Sequence, residues 1–413
     1  MRILHVSTYD IIGGAARSAY RLHQGLLEIQ AESLMLVQSK SSSHENIIAP
    51  QKSSHKLLAK VGHALDAVPA KLYRQRPQSE FSTQWFIDSI HSQVSRIAPD
   101  IINLHWINES FLKIETIKKI NCPIVWTLHD MWAFTGGCHY DQDCGRYMVN
   151  CGNCPQLNSH TSLDLSRLIW YRKRQAWKNL NLTIVTPSQW LSKCAANSSL
   201  FRNRRIEVIP YGLDIQQYKP INRQVIRQLL NLPTNKQLVL FVAVNATSSP
   251  RKGFNFLKSA LQQLCNSGWN QKIELVVIGA SQNNGDEILG FKTHFLGKLR
   301  DDISLSQIYA AVDVFVAPSI QDNLPNTVLE AIACGTPAVA FNVGGVPDMI
   351  EHQQNGYLAQ PFDIEDLAQG IAWVLENPQR HQKLCDRARE KSEREFSLEI
   401  QARRYMSLYS QLT

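Results

Sequence analysis

Short apolar runs rich in β-branched residues recur along the chain, each followed by a loop and then by a segment of helical periodicity. In the first half they are RILHVS (2–7), SLMLVQ (33–38), IINLHW (101–106), IVWTLH (124–129) and LTIVTPS (182–188). In the second half they are LVLFVAV (238–244), IELVVIG (273–279), VFVAPS (314–319) and PAVAF (337–341). Runs that are apolar throughout predict strands buried on both faces, and their alternation with helices predicts parallel sheets. The expected fold class is α/β, with two doubly wound Rossmann-like domains facing across a cleft. The turn-rich stretch Ile209-Pro210-Tyr211-Gly212 ends a short strand, IEVIP, and sets the expected boundary. Residues 1–212 then form the first domain, 213–395 the second, and 396–413 a closing helix. In open α/β sheets ligands lie beyond the carboxyl ends of the strands, so the chemistry belongs in the loops that follow them.

The composition fits this picture. The 413 residues are 44% hydrophobic and 19% charged, which excludes a disordered chain. No run approaches the ~18 apolar residues of a membrane span. The opening MRILHVSTYD reads as a strand and not as a signal peptide, so the expected location is cytoplasmic. Nine cysteines without an export signal are not expected to form a disulfide framework. The net charge of +8 is one-sided. Residues 1–215 hold 24 Lys and Arg against 16 Asp and Glu, whereas residues 216–413 hold 19 of each. An anionic partner is therefore expected on the first half.

Three loops carry candidate chemistry. Gly13-Gly14 follows the first strand and opens a helix, where bare backbone amides and the helix dipole suit a phosphate; a plain tight turn is the alternative. It is neither GxGxxG nor a Walker loop. Ser249-Pro250-Arg251-Lys252-Gly253 places two cations after a strand. Asp322-Asn323-Leu324-Pro325-Asn326-Thr327-Val328-Leu329-Glu330 follows another and runs into a helix that ends at Gly335-Thr336-Pro337. Its two carboxylates bracket a helix start, with space for a phosphate at the start itself and hydrogen-bond acceptors for vicinal hydroxyls.

This second half resembles the donor-binding domain of the GT-B glycosyltransferases, in particular retaining family 4. The resemblance rests on Asp322-x7-Glu330, Gly335-Thr336-Pro337 and Asn342-Val343-Gly344-Gly345. It implies that Asp322 contacts the donor sugar, that Glu330 holds the ribose hydroxyls, and that Asn323, Leu324, Asn326 and Thr327 line the same site. It also implies that Lys252, with Arg251, neutralises the departing diphosphate. The chain departs from the family in having Asp where Glu is usual, in Pro325, and in Asn245-Ala246-Thr247 where a Gly-Arg pair often stands. Thr127-Leu128-His129-Asp130 resembles the family's Thr-x-His element, which implies a catalytic role for His129 at the sugar, with Asp130 free to orient the imidazole. Gly13 and Gly14 then become a further donor contact. The implied activity is metal-independent transfer of a sugar from a nucleotide-diphosphate sugar to a glycan or lipid-linked acceptor, in exopolysaccharide or cell-surface glycan synthesis. A nucleotide-sugar epimerase or hydrolase on the same fold, or a degenerate carbohydrate-binding protein, are the alternatives.

Cys138, Cys144, Cys151 and Cys154 crowd into the insert after His129, and Cys151-x2-Cys154 has the spacing of a zinc arm. A structural zinc is expected there, with His139 a substitute ligand and free thiols in an ordinary loop the alternative, disulfides being disfavoured in a reducing cytosol; no cofactor is expected to be required for catalysis. The insert resembles one in the subgroup of colanic-acid-type exopolysaccharide transferases. Asp141-Gln142-Asp143 lies between cysteines, away from any strand, and is set aside as a metal motif. Basic residues at 71–76 (Lys71, Arg74, Arg76), 172–178 (Arg172, Lys173, Arg174, Lys178) and 202–205 (Arg202, Arg204, Arg205) offer either a face to anionic membrane at the inner leaflet or a set of separate solvated helices. The aromatic and basic run 170–178 has no accompanying nucleic-acid module, so nucleic acid is not an expected partner.

Overall fold

The computed structural model describes residues 1–50, 61–77, 79–242, 250–279, 287–299 and 301–413. The chain divides into two compact units: Met1–Gly212 with Leu398–Thr413, and Leu213–Ser397. No helix among the described residues is long and apolar enough to cross a membrane.

The first unit has seven strands: β1 (Arg2–Tyr9), β2 (Glu32–Ser39), β3 (Ile47–Ile48), β4 (Ile101–Leu104), β5 (Ile124–Thr127), β6 (Leu182–Thr186) and β7 (Arg205–Val208). Their order is β3-β2-β1-β4-β5-β6-β7 and every pairing is parallel. β4 and β5 are buried along their whole length, as runs without polar alternation require. The order reverses between β1 and β4, the place where an open α/β sheet presents its ligand crevice. Helix α1 (Gly14–Glu28) follows β1, and α2 (Leu165–Trp177) covers a core of Trp126, Trp132, Trp177 and Phe201.

The second unit repeats the plan with β8 (Gln237–Val242), β9 (Ile273–Ile278), β10 (Glu287–Ile288), β11 (Phe291–Phe295), β12 (Val314–Ala317), β13 (Ala338–Phe341) and β14 (Gly356–Ala359). The order is β10-β11-β9-β8-β12-β13-β14, parallel except for the edge hairpin of β10 with β11. Here the reversal falls between β8 and β12. Helix α3 (Phe254–Asn266) follows the loop after β8, and α4 (Asn326–Ala333) follows the loop after β12. The chain then returns to the first unit as α5 (Leu398–Ser410). There the Thr127 and Tyr405 hydroxyls are 2.8 Å apart, and Asn103 Nδ2 donates to the Tyr409 hydroxyl at 2.8 Å. The closing helix is thus built into the first sheet's polar interior.

Candidate functional site

Because β8 and β12 are neighbours, the loops after them meet. Gly253 sits at φ +67°, and a Cβ there would stand 1.8 Å from the Pro318 carbonyl oxygen, so this approach needs bare backbone. Ile320 N–H donates to the Arg251 carbonyl at 2.9 Å and fastens the two loops. Lys252 Nζ then lies 2.7 Å from Asp322 Oδ2, and Arg251 Nη1 lies 3.3 Å from the same oxygen while donating to the Gln321 carbonyl at 2.8 Å. Burial pushes the Asp322 carboxyl up, but Lys252 and Arg251 outweigh it and bring it down to about 2. The carboxylate is charged at any physiological pH, with Asn323 N–H donating to its other oxygen at 3.0 Å. Gly344, at φ +56°, lets a third loop close in: a Cβ would stand 1.9 Å from the Asp322 carbonyl oxygen.

Along α4, Asn326 and Thr327 occupy the first turn, while Asn323 and Leu324 are buried ahead of it. Pro325 is the capping residue, with extended ψ 117°, and not a member of the first turn. Glu330 is 2% exposed, and the Tyr309 hydroxyl donates to its Oε2 at 3.2 Å. Tyr309 comes from the helix Asp302–Ala311 and was not anticipated from the sequence, where it reads as an ordinary core aromatic. Arg251, Lys252, Asp322 and Glu330 thus belong to loops and a helix around one sheet reversal. Asn245, Ala246 and Thr247 lie outside the described residues.

In the first unit, Gly13 and Gly14 are exposed at the start of α1, with nothing within 4 Å of a Cβ added at Gly13. Buried Asp10 fixes this loop by accepting from Ile11 N–H at 2.9 Å and Ser42 N–H at 2.8 Å. His129 lies just past β5, but Asp130 does not orient it. Asp130 Oδ2 instead lies 2.6 Å from His139 Nδ1 and accepts from Trp106 Nε1 at 3.0 Å. His129 is held by His105 and Tyr211, with ring-nitrogen distances of 3.1 Å and 2.7 Å.

Cys138, Cys144, Cys151, Cys154 and Asp141 line one small cavity. Among the described residues no three His, Cys, Asp or Glu side chains form a metal-holding group in these positions. Burial pushes all four thiols up, so they are protonated. The expected basic face is also reduced. Lys173 is fully buried: its ammonium donates to the Trp132 carbonyl and, at 3.1 Å, to the Thr135 carbonyl, and it sits 3.6 Å from the centre of the Trp132 ring. Burial brings it down to about 7. Arg172 is spent on Glu115 at 2.7 Å and on the Thr83 carbonyl. An amphipathic-helix reading cannot separate such buried cations from solvated ones.

Residues 12–217 match the model of Glycosyltransferase Family 4, and residues 222–392 match that of Glycosyl transferases group 1. The chain belongs to the family 4 glycosyltransferases. Among curated relatives, it is 28% identical over 312 residues to sulfoquinovosyl transferase SQD2 of Arabidopsis thaliana, covering 74% of this chain and 55% of that protein. It is 23% identical over 376 residues to the putative colanic acid biosynthesis glycosyl transferase WcaC of Escherichia coli, covering 85% of each. The chain spans about half the length of the first curated relatives it matches. Among solved structures, sucrose-phosphate synthase of Thermosynechococcus elongatus superposes with TM-score 0.69 at 18% identity, covering 100% of this chain and 99% of that one. HepE of Anabaena, solved with UDP, gives 0.65 at 18% identity with 100% of both covered. These likenesses establish the GT-B fold of this family 4 member.

Proposed function

We propose that this protein is a retaining glycosyltransferase that moves a sugar from a nucleotide-diphosphate sugar to a glycan or lipid-linked acceptor, in exopolysaccharide or cell-surface glycan synthesis. The observation that carries this reading is the gathering of Lys252 and Arg251 on Asp322 beside the start of α4, with Glu330 buried in that helix. A diphosphate leaving group needs positive charge as its bond to the sugar breaks, and Lys252, Arg251 and the helix start supply it without a catalytic metal. The acceptor hydroxyl's proton goes to the departing diphosphate, so no side-chain base is needed. HepE, solved with UDP and with UDP-glucose, and WcaC, named for colanic acid biosynthesis, support the donor and acceptor classes. Exposed Lys71, Arg74, Arg174, Lys178 and Arg202 remain for contact with an anionic membrane surface, whereas Arg205 is paired with Glu207 at 2.8 Å.

A thermal-shift screen of nucleotide sugars, followed by turnover with and without acceptor, tests the reading. A donor at 100 times its Kd is expected to stabilise the protein by about 2.7 kcal/mol. Nucleotide release is expected only when acceptor is added. Full consumption of donor alone identifies an epimerase or hydrolase, and binding without turnover across an acceptor panel identifies a degenerate binder. Glu330→Gln is expected to weaken donor binding about tenfold, because an amide offers a donor where ribose hydroxyls need an acceptor. Unchanged donor affinity would remove Glu330 from the ribose.

Structural zinc on Cys138, Cys144, Cys151 and Cys154 belongs to the same reading. The support is the shared cavity and the nearby buried Lys173 ammonium, whose charge interacts with Cys138 and Cys151 and would offset thiolates. Zinc would take these sulfurs as thiolates, so its uptake would release the thiol protons. Purified protein is expected to hold about one zinc per chain and to lose it in Cys151→Ser. Metal-free protein by elemental analysis overturns this.

A further inference from the structure

Three imidazoles and a phenol form one hydrogen-bonded row in the first unit. His5 Nδ1 is 2.9 Å from His105 Nε2; His105 Nδ1 is 3.1 Å from His129 Nε2; His129 Nδ1 is 2.7 Å from the Tyr211 hydroxyl. The row crosses three neighbouring strands: His5 lies within β1, His105 just past β4 and His129 just past β5. Tyr211 stacks on His129 with ring centres 5.5 Å apart and planes at 23°.

Burial holds His5 and His105 well below the ordinary imidazole range and brings His129 down to about 4, so all three are neutral at neutral pH. A neutral imidazole has one N–H and one bare nitrogen, so the direction of any one bond fixes the rest. In one arrangement Tyr211 donates into the row, each ring donates onward, and His5 ends with a proton on Nε2. In the other, His5 Nδ1–H donates to His105, His105 Nδ1–H to His129, and His129 Nδ1–H to Tyr211. His5 Nε2 is buried with no hydrogen-bond partner among the described residues. The first arrangement would strand a buried N–H there, whereas the second leaves only a lone pair. Orphaned buried N–H groups are the rarer and costlier defect.

We propose that His5 and His105 are positioning residues that fix His129 in its Nδ1–H form, so that His129 meets a ligand oxygen as a hydrogen-bond donor and not as a base. The ligand atom is a hydroxyl or phosphate oxygen that takes the place of the Tyr211 hydroxyl. His129 Nε2, already accepting from His105, cannot take a proton without breaking the row. This assignment rests on His129 taking part in the sugar transfer proposed above, although the tautomer itself does not.

Histidine-labelled ¹⁵N protein decides it, because long-range ¹H–¹⁵N correlations show which ring nitrogen carries the proton. His129 is expected to be protonated on Nδ1 and bare on Nε2 in the full chain. It should stay so in Tyr211→Phe, which removes the acceptor but not the buried end of the row. An Nε2–H form in the parent protein, or a switch of tautomer in Tyr211→Phe, overturns the proposal. His105→Phe, checked for folding by circular dichroism, is expected to lower kcat on the order of tenfold or more with donor KM nearly unchanged. Unchanged kcat in a folded His105→Phe overturns the positioning role. A parent protein that transfers no sugar defeats the functional reading and leaves the tautomer assignment standing on its own spectrum.

Discussion

Lys252→Ala is expected to lower kcat for sugar transfer about a hundredfold while the unfolding temperature stays within a few degrees. The size follows from the charge that develops on a departing diphosphate: losing one aligned donor to such a group costs about 10²–10³ in rate. The stability effect is small for two reasons. The Lys252 side chain is 39% exposed, and an ion pair that open to water contributes about 0–1 kcal/mol. Asp322, only 10% exposed, is not abandoned either, since Arg251 lies 3.3 Å from the same carboxylate oxygen. Product release measured against added acceptor gives kcat, and a thermal melt gives stability. Loss of stability with kcat intact would make Lys252 a partner of Asp322 and nothing more.

The sequence shows this cation–acid cluster because each member follows an apolar run and the parallel-sheet plan sends all such loops to one edge. It does not show the row of histidines. His5 lies within an apolar run and His105 and His129 near the ends of two others, but only the order β1-β4-β5 makes them neighbours, and no local pattern states that β1 pairs with residues 98 positions away, as Ile3 does with Ile101. Three of the strands missed in the sequence are of one kind. β3 and β10 have two residues each, and β14 is Gly-Tyr-Leu-Ala; their pairing is set by the sheet edges they join, not by propensity. β11, Phe-Lys-Thr-His-Phe, alternates and does not fit the fully apolar template applied to the other strands. Lys173 and Asp130 were misplaced for a related reason: burial of a charge beneath Trp132, or its capture by His139, depends on the insert's fold and leaves no periodic trace.

The histidines that the sheet gathers also predict a steep acid limit. Burial holds His23 and His129 at about 4, and His5 and His105 well below 6.5, whereas in the unfolded chain each titrates near 6.5. Between those values the unfolded chain binds more protons than the folded one, so stability rises with pH across the window and falls as acid is added. Above pH 6.5 none of the four costs anything. Each costs about 1.4 kcal/mol per pH unit below it, so His129 alone costs about 3 kcal/mol by pH 4. One group opposes the trend. His139 is raised by Asp130 against its own burial, so its contribution is present below pH 6.5 and fades as pH rises past its folded value. With His381 also lowered by burial, five imidazoles stand against one, and set beside a total stability of about 5–15 kcal/mol they place the acid unfolding transition between pH 6 and 4. Carboxylates held low, such as Asp322 at about 2, begin to release their share at the acid end of that range and lose most of it below. Tryptophan fluorescence and thermal melts taken in half-unit steps from pH 7.5 to 4 measure the slope. His23→Gln, outside the row that holds His129, is expected to flatten it by about one proton while leaving sugar transfer intact. A melting temperature that stays level from pH 7 to 4.5 would mean that these imidazoles take up protons inside the folded protein, with water reaching the row from His5 to Tyr211.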